Sequence, residues 1–143
     1  MISMTGHPDI DAIQDEIIDE FALFDDWQER YRYLIDLGRK LPPYPEEFRT
    51  DDYLVRGCQS RVWLHARTEN GLLHFDAASD AAIVSGLIVL LLRIFSGQPP
   101  LAISRAEPRF VTAVGLGEHL SPSRSNGLAA MIKTIKSIAA AQR

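Results

Sequence analysis

The chain owns one cysteine, Cys58, in the run Arg56-Gly57-Cys58-Gln59-Ser60-Arg61-Val62-Trp63. A lone cysteine cannot close an intrachain disulfide or assemble a cysteine-rich metal site. It is a small buried apolar residue, a free nucleophile, or a partner for a second chain. Gly57 lets the backbone take an unusual conformation and leaves the sulfur approachable. Arg56 and Arg61 place positive charge beside it, which predicts a lowered thiol pKa and a larger reactive fraction. The residues alone leave the buried and the reactive readings both open.

Other constellations are weaker. The histidines are His7, His65, His74 and His119, and none is paired at a metal-ligand spacing. His65 and His74 are placed to face each other across a hairpin, which reads as a cross-strand pair rather than a ligand set. A Cys58–His119 pair for nucleophilic hydrolysis has no supporting signature around the cysteine. Gly115-Leu116-Gly117 lacks the further glycine and basic residue of a phosphate loop. Arg124, in Ser121-Pro122-Ser123-Arg124-Ser125-Asn126, stands near a helix start, as a ligand for an anion or an acidic partner or as a surface residue beside a serine cap.

The elements that must position these groups follow from periodicity. Ile10, Ile13, Ile17 and Phe21 lie at helical spacing over about 9–24, with acids on the other face. A second helix starts at Asp26, where Asp26 and Glu29 have capping-box spacing, and carries Trp27, Tyr31, Leu34 and Ile35 as its stripe. Pro42, Pro43 and Pro45 end it in an extended connection. Tyr53-Leu54-Val55 predicts a short strand before the cysteine loop. Val62, Leu64 and Ala66 alternate with Trp63, His65 and Arg67 as a half-buried strand, Glu69-Asn70-Gly71 turns, and Leu72–Phe75 returns. An apolar helix covers about 80–95, with Ser79 or Asp80 as its cap, and Ser96-Gly97 with Pro99-Pro100 stops it. Weaker helices cover 101–104 and 108–114, and a polar loop spans 117–125. The last helix runs from about Asn126, with Leu128, Met131, Ile132, Ile135 and Ile138 inward. Two helices, a small antiparallel sheet and more helices make an α+β domain.

The 143 residues predict a single domain over 1–143, and a hydrophobic share of 46% supplies its core. Lys and Arg number 15 against 19 acids, a net charge of -4, which argues against nucleic acid as the main partner. The apolar stretch 81–95 is too short for a bilayer and is broken by Ser85, Gly86 and Arg93, so no membrane partner is expected. One cysteine and no secretory pattern at the start fit a reducing cytoplasm.

Four segments together resemble the SufE-like family of cysteine desulfuration proteins (SufE and CsdE). They are Trp27 with Arg30-Tyr31, Leu34-Ile35, Leu37-Gly38 and Leu41-Pro42; Gly57-Cys58-Gln59-Ser60-Arg61-Val62-Trp63; Ser79–Val84 with Gly86-Leu87-Ile88; and His119–Leu128. The resemblance covers about 27–138 and implies the fold shared with IscU scaffolds, a small antiparallel sheet packed on helices. It implies that Cys58 accepts sulfane sulfur as a persulfide from a PLP-dependent, SufS/CsdA-like cysteine desulfurase. It further implies that the chain stimulates that enzyme and passes the sulfur to an iron–sulfur scaffold or another acceptor. Asp80 and Arg124 are implied to line or gate the cysteine loop. No cofactor and no metal of the chain's own is implied, since one thiol cannot hold a cluster. The Gln59-Ser60 pair is closer to SufE than to CsdE. Family members often carry Gly-Asp where Ala77-Ala78 stand here, so any role for an acid at 78 is absent. A docking activator with Cys58 incidental is the alternative, and a homodimer is left open.

Overall fold

The computed structural model describes residues 9–142, so His7 and the reading of the chain's start lie outside it. Helix α1 (Ile10–Ala22) buries Ile10, Ile13, Ile17 and Phe21, the predicted stripe. It also buries a polar residue, Gln14. The Gln14 Nε2 donates to the Glu107 carbonyl at 3.0 Å and its Oε1 accepts from the Phe110 N–H at 3.1 Å. Those bonds satisfy a buried amide and tie the first helix to the chain's second half.

Helix α2 (Trp27–Gly38) starts where the Asp26 carboxylate accepts the Glu29 N–H at 2.8 Å. It crosses a later apolar helix at Gly86. A Cβ on Gly86 would run into the Leu34 carbonyl, and one on Gly38 would lie 2.8 Å from the Gly86 nitrogen. Only glycine permits this approach.

Residues 41–55 form a strap with two short 3₁₀ turns, Glu46–Phe48 and Asp51–Tyr53. The predicted strand at 53–55 is reduced to one bridge, Leu54 opposite Trp63, and one bond from the Val55 N–H to the Val62 carbonyl at 2.8 Å. The 3₁₀ turn precedes it and Gly57, at φ 95°, bends the chain away after it, so no ladder extends. Strand β1 (Val62–Glu69) pairs antiparallel with β2 (Leu72–Ser79), from Val62 opposite Ser79 to Glu69 opposite Leu72. Asn70 and Gly71 turn the hairpin with φ of 55° and 78°. The return strand runs four residues past Phe75.

Two expectations for the hairpin need correction. Trp63 is buried with Tyr44 and Ala78, and Arg49 lies over its ring, because the strap covers the face expected to be solvated. His65 sits opposite Asp76 rather than His74, with its Nδ1 3.4 Å from the Asp76 carboxylate and its ring stacked on Phe48.

Helix α3 (Ala82–Phe95) buries Ile83, Leu87, Ile88, Leu91 and Phe95 and packs against α1, α2, β2 and a later helix. Its cap is Ala81, with no side-chain bond. Ser79 Oγ accepts the Ala81 N–H at 3.2 Å, while Asp80 turns elsewhere. Helices α4 (Pro100–Arg105), α5 (Phe110–Val114), α6 (Leu116–His119) and α7 (Pro122–Ala141) complete an α+β fold. The segment 117–125 is therefore largely helical rather than a loop. Helix α7 begins a turn before Asn126, because Ser121 Oγ accepts the Arg124 N–H at 3.4 Å and Pro122 supplies a preset first helical position. Leu128, Met131, Ile132 and Ile135 are buried as expected, with Ile138 half-buried at the edge. Among the described residues no helix is long and apolar enough to cross a membrane.

Candidate functional site

Cys58 lies in the loop 56–61, pinched at its base by the Val55–Val62 bond and the Leu54–Trp63 bridge. Asp80 holds the far end twice. Its N–H donates to the Arg61 carbonyl at 3.3 Å, and its carboxylate accepts the Arg61 N–H at 3.2 Å. Gly57 lets the loop lie against α7. Its φ of 95° is strained for any other residue, and a Cβ there would meet the Ala130 methyl at 3.2 Å.

The loop folds the thiol inward. Cys58 is half-buried, and its Sγ donates weakly to the Gly127 carbonyl of α7 at 3.6 Å. A cavity of about 350 Å³ opens beside it. Val62, Val84, Leu87, Leu128 and Met131 give it apolar walls, and Ser121, Ser123 and Arg124 line it where α7 begins. Burial pushes the Cys58 thiol above its ordinary pKa, and no arginine offsets this. The expected lowering by Arg56 and Arg61 is thus not found. Both arginines are exposed, where water screens their charge, while the sulfur is turned toward the cavity.

The structure thus brings Cys58 and Arg124 to one cavity and places Asp80 at the base of the same loop. It does not bring in His119. That ring stacks on Trp27 with centroids 4.5 Å apart and is absent from the cavity lining. Among the described residues no group of three or more His, Cys, Asp or Glu could hold a metal ion. A larger groove of about 740 Å³, between α4, α5 and α7, contains no thiol, histidine or carboxylate. Size alone would select it, but the lone thiol lies at the smaller cavity.

Gly127, Leu87 and Met131 also line the cavity, a placement that the sequence reading misses. The spacing 124, 127, 128, 131 places four α7 positions on one helical face, a pattern that would have connected Arg124 to the cavity wall.

A hairpin on a helical layer, with one thiol folded against the start of the last helix, defines a small α+β protein built around a sheltered cysteine. Residues 15–139 match the SufE family, described as an Fe–S metabolism associated domain, and the chain belongs to that family. It is 49% identical over 128 residues to an uncharacterized SufE-like protein of Rhizobium meliloti (strain 1021), covering 86% of this chain and 91% of that one. A SufE-like protein of Rhizobium etli, also uncharacterized, is 45% identical over 130 residues, covering 87% and 88%. The solution structure of a hypothetical protein from Thermus thermophilus superposes with a TM-score of 0.74 at 24% identity, over 90% of this chain and 93% of that one. At that identity it shows the shared fold.

Proposed function

We propose that the chain acts as one unit that carries sulfane sulfur as a persulfide on Cys58. The donor is a PLP-dependent cysteine desulfurase, which the chain stimulates by unloading it, and the sulfur then goes to iron–sulfur cluster assembly. The observation that carries this reading is the lone thiol at the edge of a cavity roomy enough for one more sulfur. Membership of a family associated with Fe–S metabolism supports it.

The chemistry is thiol–persulfide exchange. Cys58 loses its proton and its thiolate attacks the outer sulfur of the donor's persulfide. A bond forms between Cys58 Sγ and that sulfur. The donor's S–S bond breaks, and its electron pair leaves on the donor cysteine as a thiolate. At rest, burial keeps Cys58 protonated and slow to react. Docking must swing the loop outward, where water and exposed guanidinium groups favour the thiolate. The loop then returns the loaded sulfur to the cavity, away from reductants. A reducing compartment such as the cytoplasm suits a carrier with a single free thiol. Asp80 positions the loop, and Arg124 faces the anionic persulfide.

The test is intact-protein mass spectrometry after incubation with a cysteine desulfurase and free cysteine. A gain of about 32 Da, lost on reduction and absent from Cys58→Ser, is the expected result. If Cys58→Ser still stimulates the desulfurase as wild type does, the carrier reading fails and the docking-activator reading replaces it.

A further inference from the structure

Two segments border the Cys58 cavity, the loop 56–61 and the start of α7 at 121–128; Arg124 lines the cavity, and Arg56 and Arg61 flank the cysteine in the loop without lining it. They contain three arginines, Arg56, Arg61 and Arg124, and no carboxylate, in a chain that is acidic overall at -4. All three are exposed. Elsewhere arginines are mostly paired: Arg39, Arg49, Arg67, Arg93 and Arg109 each meet a carboxylate. Arg30 is bonded to the Phe24 and Val114 carbonyls. Among the described residues, Arg56, Arg61 and Arg124 have no carboxylate partner. Asp80, at the base of the same loop, spends one carboxylate oxygen on the Arg61 backbone N–H. The arginines therefore do not stabilise the fold through ion pairs, nor do they lower the Cys58 pKa in the folded-in state. Three guanidinium groups without an ion-pair partner, set against the single Asp80 carboxylate at the base of the loop, leave a net local positive charge, which raises the encounter rate with an acidic surface.

We infer that Arg56, Arg61 and Arg124 form a docking collar for an acidic protein surface surrounding the partner's sulfur-bearing cysteine. The partner's identity as a sulfur donor rests on the persulfide reading, whereas the collar is tested without it. Overall charge and local charge make opposite predictions. A net of -4 would repel an acidic partner, while the collar would attract it.

The probes are two short cysteine peptides, one flanked by Asp and Glu and one by Lys, each activated as a mixed disulfide with 5-thio-2-nitrobenzoate. The Cys58 thiolate attacks the peptide sulfur, the peptide–nitrobenzoate S–S bond breaks, and the coloured nitrobenzoate thiolate leaves with the electron pair. Rates are normalised to those with 2-mercaptoethanol, which is neutral. Capture of the acidic peptide is expected to be about tenfold faster than that of the lysine peptide at low salt. The preference should fade by about 0.5 M salt as charges are screened. R56E/R61E should invert it, and R32E/R105E, which reverses two unpaired arginines outside the mouth, should retain it. Equal rates, a preference for the lysine peptide, or an equal response to both double variants would overturn the collar. Each of those results would leave persulfide formation on Cys58 to stand or fall on its own mass measurement.

Discussion

Asp80→Ala isolates the restraint on the cysteine loop. Asp80 and Arg61 share two hydrogen bonds, and the substitution removes only the one from the Arg61 N–H to the carboxylate, at 3.2 Å. The backbone bond from the Asp80 N–H to the Arg61 carbonyl, at 3.3 Å, remains. The lost bond is exposed to water, so it is worth about 1 kcal/mol, the typical net value of a hydrogen bond rather than the larger one of a buried charged acceptor. If Cys58 reacts from a loop-open state in fast equilibrium with the folded-in state, about 1 kcal/mol raises the open population about fivefold. The assay is the second-order rate of Cys58 alkylation by iodoacetamide at fixed pH, read by intact mass. Asp80→Ala should react about fivefold faster than wild type. Asp80→Asn keeps an acceptor oxygen and should stay near wild type. Wild-type speed in Asp80→Ala would show that this bond does not restrain the thiol. Equal speeding by Asn and Ala would assign the effect to the negative charge instead.

Three further outcomes are expected. Burial raises the Cys58 pKa, so the folded state favours the protonated thiol. Its contribution to stability is fully present below the ordinary thiol pKa and is lost as pH rises through the raised value. Urea melts from pH 7 to 10 should show that slope in wild type and not in Cys58→Ser. Gly127→Ala places a Cβ 3.6 Å from the Cys58 sulfur, an ordinary contact, in the interior of a helix where Ala is favoured by about 1 kcal/mol. The thermal midpoint of the thiol form should rise by about 2–4 °C, and a fall would mean that the loop cannot tolerate even one methyl. Glu20 accepts two bonds from Arg93, at 2.8 and 2.7 Å, and one from the Tyr33 hydroxyl at 2.7 Å. The Arg93 bonds are the main cause that lowers its pKa, so this stability is present above the ordinary glutamate range and lost as pH falls through the lowered value. Glu20→Gln should cost about 1 kcal/mol at pH 7 by urea denaturation, and the gap from wild type should close toward pH 3. A gap independent of pH would point to packing instead.

The features legible in the sequence are those set by local rules. The α1 stripe, the Asp26 cap, the Asn70-Gly71 turn and the 82–95 core helix each need only a few neighbouring residues to declare themselves. Cys58, Asp80 and Arg124 are legible as a set through a family resemblance, not through geometry. What stays hidden depends on distant packing. Trp63 looks half-solvated in the sequence because its cover, the strap with Tyr44 and Phe48, lies about twenty residues away. The Cys58 pKa shift takes the opposite sign from the sequence expectation because flanking arginines are visible in sequence and burial against α7 is not. Gln14 gives no sign that its amide bridges to Glu107 and Phe110. The start of α7 is placed late because the polar letters of 121–125 suggest a loop, although Ser-Pro is also a cap followed by a first helical residue.

The pinched base of the cysteine loop sets a leash. Val55 and Val62 are joined across it, so even with the Asp80–Arg61 bonds released only residues 56–61 can swing. Six residues out and back, at about 3.4 Å each, carry the tip no more than about 10 Å from its neck. The sulfur cannot be handed over at a distance. A donor or acceptor cysteine must itself be brought within that radius, so a partner whose thiol is recessed deeper than about 10 Å from its rim would be out of range, whatever its affinity.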